Sequence, residues 1–406
     1  MIHFFKTRGK SRCKPSVYIY GMPIHQMDQT IYGGQYGNAT RAVGLAFNLC
    51  KLGHKVFLEV EDEFEDRTAS DHGFDFPQFI RASERSNILS KTDRLLISCT
   101  NIESFKRLSN REPYLEHPCR VIVSCFDLGQ KIEWERFAES TKAITFNNNQ
   151  QKLRWDKRKS GVDAYVVPYG VNEHEYVDEA IVDVQRPSAL WIGEIRRNDM
   201  LERIVKFAKA NPTAHVTIVA RKIYDCGIPD EKRGGRLAPF GDFRDGKDPL
   251  SKFDHIVKQI CREPKPKNIE FLGPVEGENH VIQGRNLVGL DFSRFPAQEH
   301  DNTKILDYLR SGMCVICDRG TPSCRFVEET GHGVIVEPEF SEIEIQDAFA
   351  RCIEIGSLSR RMKVARYVRE KYGWNSIASQ ISDILQKVHS STRLSIADTF
   401  FKKLKR

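Results

Sequence analysis

Long apolar runs are missing from this sequence. None of its 406 residues belongs to a stretch near the ~20 apolar residues that a membrane-spanning helix needs. The opening residues, MIHFFKTRGKSRCK, are basic but lack the apolar segment and small-residue cleavage site of a secretory signal. The expectation is a cytoplasmic chain. A G-x-G-x-x-G turn is also missing, which removes the usual fingerprint of a nicotinamide cofactor. Cys314 and Cys317 form a C-x-x-C, but no second pair follows at zinc-finger spacing, and residues three apart on a strand face opposite ways. No metal is expected. The eleven cysteines are an odd number, and many sit in apolar stretches such as VIVSCF and MCVICD, the pattern of buried, reduced thiols.

Apolar residues make up 40% of the chain and charged residues 29%, so it is globular, and its length suits two domains. The net charge of +7 is unevenly spread. Lys6, Arg8, Lys10, Arg12 and Lys14 have no acidic neighbour, and the end combines aromatics with Lys402, Lys403, Lys405 and Arg406. Such a tail suits an anionic membrane surface as well as plain solvent. The expectation is a peripheral contact with the inner face of a membrane and no nucleic-acid partner.

Short β-rich runs alternate with helical stretches twice over. The first set is 16–20, 55–60, 93–98, 120–125, 142–146 and 164–167; the second is 188–193, 215–220, 268–272, 287–293, 313–317 and 333–336. Most are continuously apolar, as strands covered on both faces of a parallel sheet are. This predicts an α/β chain with two Rossmann-like, doubly wound sheets. The join falls near VVPYGVNEHEYVDEA, where Pro168 and Gly170 punctuate the end of the first sheet. The expected divisions are 1–170, 171–371 and a terminal piece, 372–406. Residues 222–267, rich in Gly, Pro and charge, read as an inserted loop.

Ligands of doubly wound sheets sit outside the carboxyl ends of the strands. The loop after the first strand carries His25, Asp28, Gly33 and Gly34 and leads into a helix with Ala42, Leu45, Leu49 and Leu52 on one face and Gly53 as its stop. Gly33 and Gly34 would let backbone approach a ligand, although a Gly-Gly pair also serves an ordinary turn. A second loop ends in EHDNTKILDYLRSG. Asp301 or Asn302 can cap a helix starting near Thr303. Glu299 and Asp307 flank that start with seven residues between them. A carboxylate can accept two hydrogen bonds from a ribose, and Lys304 can neutralise a phosphate. Dipole stabilisation alone would select the same acids.

Several segments in order resemble the GT-B glycosyltransferases, and among them the large family-4 type. The Glu299-x7-Asp307 spacing resembles that family's Glu-x7-Glu motif, with Asp in place of the second Glu. YGGQYGNATRAVGLAFNLCKLGHKVFLEVED is similar to its opening Gly-Gly loop, helix and strand. VVPYGVN, LWIGEI, IEFLGPVEGEN and YGWNSIASQISDILQ resemble its hinge, the strand before its phosphate arginine, its F-L-G segment and its terminal crossing helix. The resemblance implies two Rossmann-like domains facing a central cleft, with the acceptor on the first and a nucleotide-sugar on the second. It implies that Asp307 binds the ribose, that Glu299 faces the sugar or phosphates, and that Asn302, Thr303 and Lys304 at the helix start meet the diphosphate. Gly33 and Gly34 would lie beside that diphosphate. The family's phosphate arginine is Glu194 here; Arg196 and Arg197 stand just beyond as substitutes. A general base, if the product is inverted, would be Asp28, His25 or Asp127; the motif leans toward retention, where none is required. The implied activity is sugar transfer from a UDP- or GDP-linked donor, taken as substrate and without a cofactor, to a saccharide or lipid-linked acceptor in surface polysaccharide or glycoconjugate synthesis. A sugar-nucleotide epimerase, or a non-catalytic nucleotide- or glycan-binding protein on the same scaffold, fits the same residues.

Overall fold

A computed structural model describes residues 14–20, 37–60, 77–98, 117–123, 141–156, 162–171, 181–195, 197–220, 222–230, 236–242, 249–275, 279–293, 301 and 303–388. The chain divides into two compact units. Unit 1 comprises residues 1–146, 152–167 and 377–406; unit 2 comprises residues 147–151 and 168–376.

Unit 1 is built on a seven-stranded parallel sheet of order β3-β2-β1-β4-β5-β6-β7. Its strands are β1 (Val17–Tyr20), β2 (Val56–Val60), β3 (Gln78–Arg81), β4 (Arg94–Ser98), β5 (Arg120–Val123), β6 (Thr141–Phe146) and β7 (Asp163–Val166). Every position of β1, β2 and β5 is buried, which is why these segments read as mostly apolar, broken only by Glu59 and Arg120. Six of the strands match the sequence expectation. The seventh, β3, has exposed residues at both ends and gave no such run.

The helix Gly37–Lys51 buries Ala42, Leu45, Ala46 and Leu49. It ends as expected at Gly53, in the left-handed region at φ +83°, where the Gly53 N–H donates to Cys50 O and the His54 N–H to Leu49 O. The buried His54 ring then bridges two distant pieces of chain: Nδ1 lies 2.9 Å from Pro15 O and Nε2 2.7 Å from Ser382 Oγ. Ser382 belongs to the helix at 374–388, and from residue 377 that helix is part of unit 1.

Unit 2 has a six-stranded parallel sheet of order β12-β9-β8-β13-β14-β15. The strands are β8 (Ser188–Ile192), β9 (His215–Val219), β12 (Ile269–Phe271), β13 (Val288–Asp291), β14 (Cys314–Asp318) and β15 (Gly333–Val336). Counted along the chain within this sheet, the order is 3-2-1-4-5-6, the doubly wound arrangement. The chain runs outward from β8 to β12, returns to β13 and runs out the other way. The topological switch point therefore lies between β8 and β13. Cys314 and Cys317 lie in β14 on opposite faces, in separate buried clusters. Cys314 Sγ donates to Cys352 O at 3.2 Å, and Cys317 Sγ lies 3.5 Å from Cys324 Sγ.

The stretch 222–267 is not a loop throughout, which corrects the expectation. It holds an antiparallel pair, β10 (Lys222–Asp230) and β11 (Arg236–Asp242), then the helix Pro249–Cys261. The pair has register shifts either side of Tyr224, and irregular antiparallel strands tolerate the Gly, Pro and charge that suggested a loop. The loop reading missed a signal for the helix: Phe253, Ile256, Val257 and Ile260 recur at helical spacing. Among the described residues no helix is long and apolar enough to cross a membrane.

Candidate functional site

The switch point of unit 2 gathers one lysine from three directions. Lys304 is the second residue of the helix Thr303–Arg310. Its ammonium lies 3.6 Å above the ring of Trp191 in β8 and 3.8 Å from Asp291 Oδ1, at the end of β13. Its stem crosses the turn after β8, where Gly193 adopts φ +120°; a Cβ there would stand 3.4 Å from Lys304 Cε. That is ordinary contact distance, so it is the backbone conformation that calls for glycine here. The helix itself is pinned by Tyr308, whose buried hydroxyl accepts the Ile192 N–H at 2.9 Å. Burial pushes the Tyr308 phenol well above its ordinary range, so it stays neutral. An ammonium, the N-terminus of an eight-residue helix and a glycine turn then converge outside the carboxyl ends of two neighbouring strands. That combination suits an anion.

Beneath this lysine lies a layer of buried charge. Asp291 and Asp318 end the adjacent strands β13 and β14, and both side chains are inaccessible to solvent. Arg203, from the helix Asn198–Ala210, donates to Asp318 Oδ2 at 2.5 Å and to Phe292 O at 2.7 Å. Burial still pushes the Asp318 carboxyl up to about 7, against the lowering effect of Arg203. Asp199 links this layer to the loop after β8. Arg197 grips it with two bonds, Nε to Oδ1 at 2.8 Å and Nη2 to Oδ2 at 3.0 Å, while Arg203 Nη2 lies 3.4 Å from Oδ2.

A second polar cluster flanks the same helix. Asp301, its side chain almost wholly buried, is held by both terminal nitrogens of Arg325, with Nη2 at 2.5 Å from Oδ2. Arg325 Nη2 also donates to Asn147 O at 3.2 Å, and Asn148 Nδ2 lies 3.4 Å from Asp301 Oδ1. The expected capping candidate Asp301 is therefore part of an ion pair that ties residues 147–151 into unit 2.

Of the residues singled out from sequence, Arg197, Thr303, Lys304 and Asp307 fall within the described residues. Lys304 occupies the switch point. Thr303 begins its helix. Arg197 stands before the Asn198–Ala210 helix, engaged with Asp199. Asp307 lies one turn into the Thr303–Arg310 helix, about one third exposed, with its carboxylate 3.0 Å from Arg310 Nε. Glu299, Asn302, Arg196, His25, Asp28, Asp127, Gly33 and Gly34 lie outside the described residues. Sequence reasoning missed Trp191, Asp291, Asp318, Asp199 and Arg203. Two of them carried a signal: a carboxylate closing an apolar strand, as in VGLD and CVICD, marks a strand end with a polar task.

No protein-family model matches the chain, and no curated protein matches it in sequence. Solved structures do match, over nearly the whole chain. A glycosyltransferase from Rickettsia africae superposes with a TM-score of 0.61 at 12% identity, covering 92% of this chain and 98% of its own. Sucrose-phosphate synthase from Thermosynechococcus elongatus gives 0.57 at 13% identity, covering 93% and 100%. The HepE protein of Anabaena, solved with UDP, gives 0.56 at 11% identity, covering 92% and 100%. The fold is that of the GT-B glycosyltransferases. A GT-B fold accounts for two doubly wound sheets of seven and six strands in one chain, and for a last helix that ends in unit 1. It also gives the switch point of the second sheet a meaning, because doubly wound sheets bind their ligands there.

Proposed function

We propose that this chain is a nucleotide-sugar-dependent glycosyltransferase, akin to the family-4 type, that moves a sugar from a UDP- or GDP-linked donor to a saccharide or lipid-linked acceptor. The observation that carries this reading is the Lys304 ammonium at the switch point of unit 2, at a helix N-terminus and across a glycine turn. The shared fold supports it, and HepE, of that fold, was solved with UDP.

Glycosyl transfer needs the leaving diphosphate stabilised as its charge develops. Donors fixed before the reaction do this best, because they need no reorganisation. In this reading, Lys304 and the backbone N–H groups at the start of the Thr303–Arg310 helix receive the diphosphate. Arg197, steadied by Asp199, adds a second positive charge from the loop after β8. Asp307 accepts the ribose hydroxyls, and Glu299 faces the sugar. Unit 1 carries the acceptor, and its placement in surface polysaccharide synthesis at the inner face of a membrane belongs to the same proposal.

The test is calorimetric titration with UDP, GDP, ADP and their glucose-linked forms, repeated on Lys304→Met and Asp307→Ala. A uridine or guanosine diphosphate is expected to bind, with Lys304→Met weakening it about tenfold or more, the usual consequence of losing one charge-assisted contact. Binding unaffected by either substitution, or no binding by any nucleotide, refutes the reading. Donor consumption that depends on added acceptor then separates transfer from epimerisation.

A further inference from the structure

Asp291 has no place in the chemistry above, yet it is a wholly buried carboxylate at the end of the central strand β13. A buried charge persists only when it is compensated. The neighbouring groups divide into pairs. On β14, Asp318 is met by Arg203. From the helix Thr303–Arg310, Lys304 approaches Asp291 at 3.8 Å, and Tyr308 turns its hydroxyl to the Ile192 amide. Among the described residues Cys317 and Cys324 also feel the Asp291 charge, and the contact between them and burial govern those thiols more than Asp291 does.

We propose that Asp291 is a positioning residue for Lys304: with the face of Trp191 and the Gly193 turn, it holds the lysine charged and aimed across the switch point. The Trp191 ring and the Asp291 carboxylate both lie within 4 Å of the ammonium, at 3.6 and 3.8 Å, and the Gly193 turn lies against its stem. A long, flexible side chain then has one orientation in place of many, so little freedom is lost when an anion arrives. This rests on reading the site as a diphosphate site, but the lysine can be probed without a nucleotide.

Two measurements test it. In the first, acetylation of the Lys304 amine is followed by peptide mass spectrometry in mildly alkaline buffer. Asp291→Asn removes the counter-charge, burial then favours the neutral amine, and the labelling rate is expected to rise about fivefold or more. An unchanged rate overturns the proposal. In the second, UDP affinity is measured across the alkaline range. It should hold steady for the native protein and fall about tenfold for Asp291→Asn as the amine loses its proton. Parallel profiles overturn the proposal. Should the native protein bind no UDP, the functional reading falls, while the labelling rate still decides the role of Asp291. Should Asp291→Asn fail to fold, Lys304→Met is compared with Lys304→Met/Asp291→Leu. The single substitution takes the ammonium away from a buried carboxylate, so the double variant is expected to melt higher; equal melting temperatures overturn the pairing.

Discussion

Gly289 shows how a single hydrogen atom sets the site. It sits in β13 between β8 and β14, and a Cβ there would lie 2.3 Å from the ring of Tyr308. Tyr308 in turn anchors the helix that presents Lys304. Gly289→Ala must push that helix off the sheet. The expected loss is on the order of 1–3 kcal/mol of stability, the range for overpacking a filled core. Denaturant unfolding measures it, and UDP affinity should fall with it, because the displaced helix carries the lysine. At this scale the sequence was partly legible. Lys304 stood out by its place at a helix start. Asp291 and Trp191 looked like ordinary strand residues, because each contact with Lys304 is made by folding, across 13 residues from Asp291 and 113 from Trp191.

Among the elements, the helix Leu358–Tyr372 holds unit 2 together through one buried arginine. Arg361 donates to four carbonyls: Gly312 at 3.0 Å, Val182 at 2.7 Å, Gly284 at 2.9 Å and Asn286 at 3.0 Å. Two of these close helices, Asn279–Gly284 and Thr303–Arg310, whose last carbonyls have no partner within the helix. Gly312 also turns through φ +71°, and a Cβ there would stand 2.9 Å from Arg361 O. Arg361→Ala would take a donor from four acceptors at once, of which Gly312 O keeps His332 Nε2 at 3.2 Å. A loss of about 3 kcal/mol or more is expected in denaturant unfolding, with Arg361→Lys recovering only part, since one ammonium cannot reach all four. The elements themselves were largely legible: strands covered on both faces advertise themselves by continuous apolar residues. β3, β10 and β11 did not, because their sequences lack such runs.

For the whole molecule, the buried histidines of unit 1 and the buried Asp318 of unit 2 should respond to acid in opposite senses. In unit 1, burial lowers the pKa of His54 and of His117 below the ordinary 6.5. The unfolded chain therefore binds protons that the folded unit refuses, and unit 1 loses stability as pH falls below about 6.5. In unit 2, burial lifts Asp318 from 3.8 to about 7. There the folded state binds the extra proton, so its contribution is greatest at acid pH and is lost as pH rises from about 4 to 7, by on the order of 4 kcal/mol. Hydrogen exchange read peptide by peptide at a series of pH values should show the divergence. Asp318→Asn should flatten the dependence in unit 2 and leave unit 1 unchanged. A dependence in unit 2 that Asp318→Asn leaves unchanged would contradict the assignment.

The sequence alone determined the two parallel sheets, most of their strands and the helix that opens at Thr303. These follow from local periodicity, turn residues and capping, which act within a few neighbours along the chain. Only the tertiary structure decided which charges meet. Lys304 with Trp191 and Arg203 with Asp318 are pairs made by strand order, since the doubly wound sheet sets β8 beside β13 although nearly a hundred residues separate them, whereas Lys304 with Asp291 and Arg325 with Asp301 are nearer in sequence and are made by how successive elements pack. Linear spacing carries no record of such neighbours, and the cost of burying a charge is what binds each to its partner.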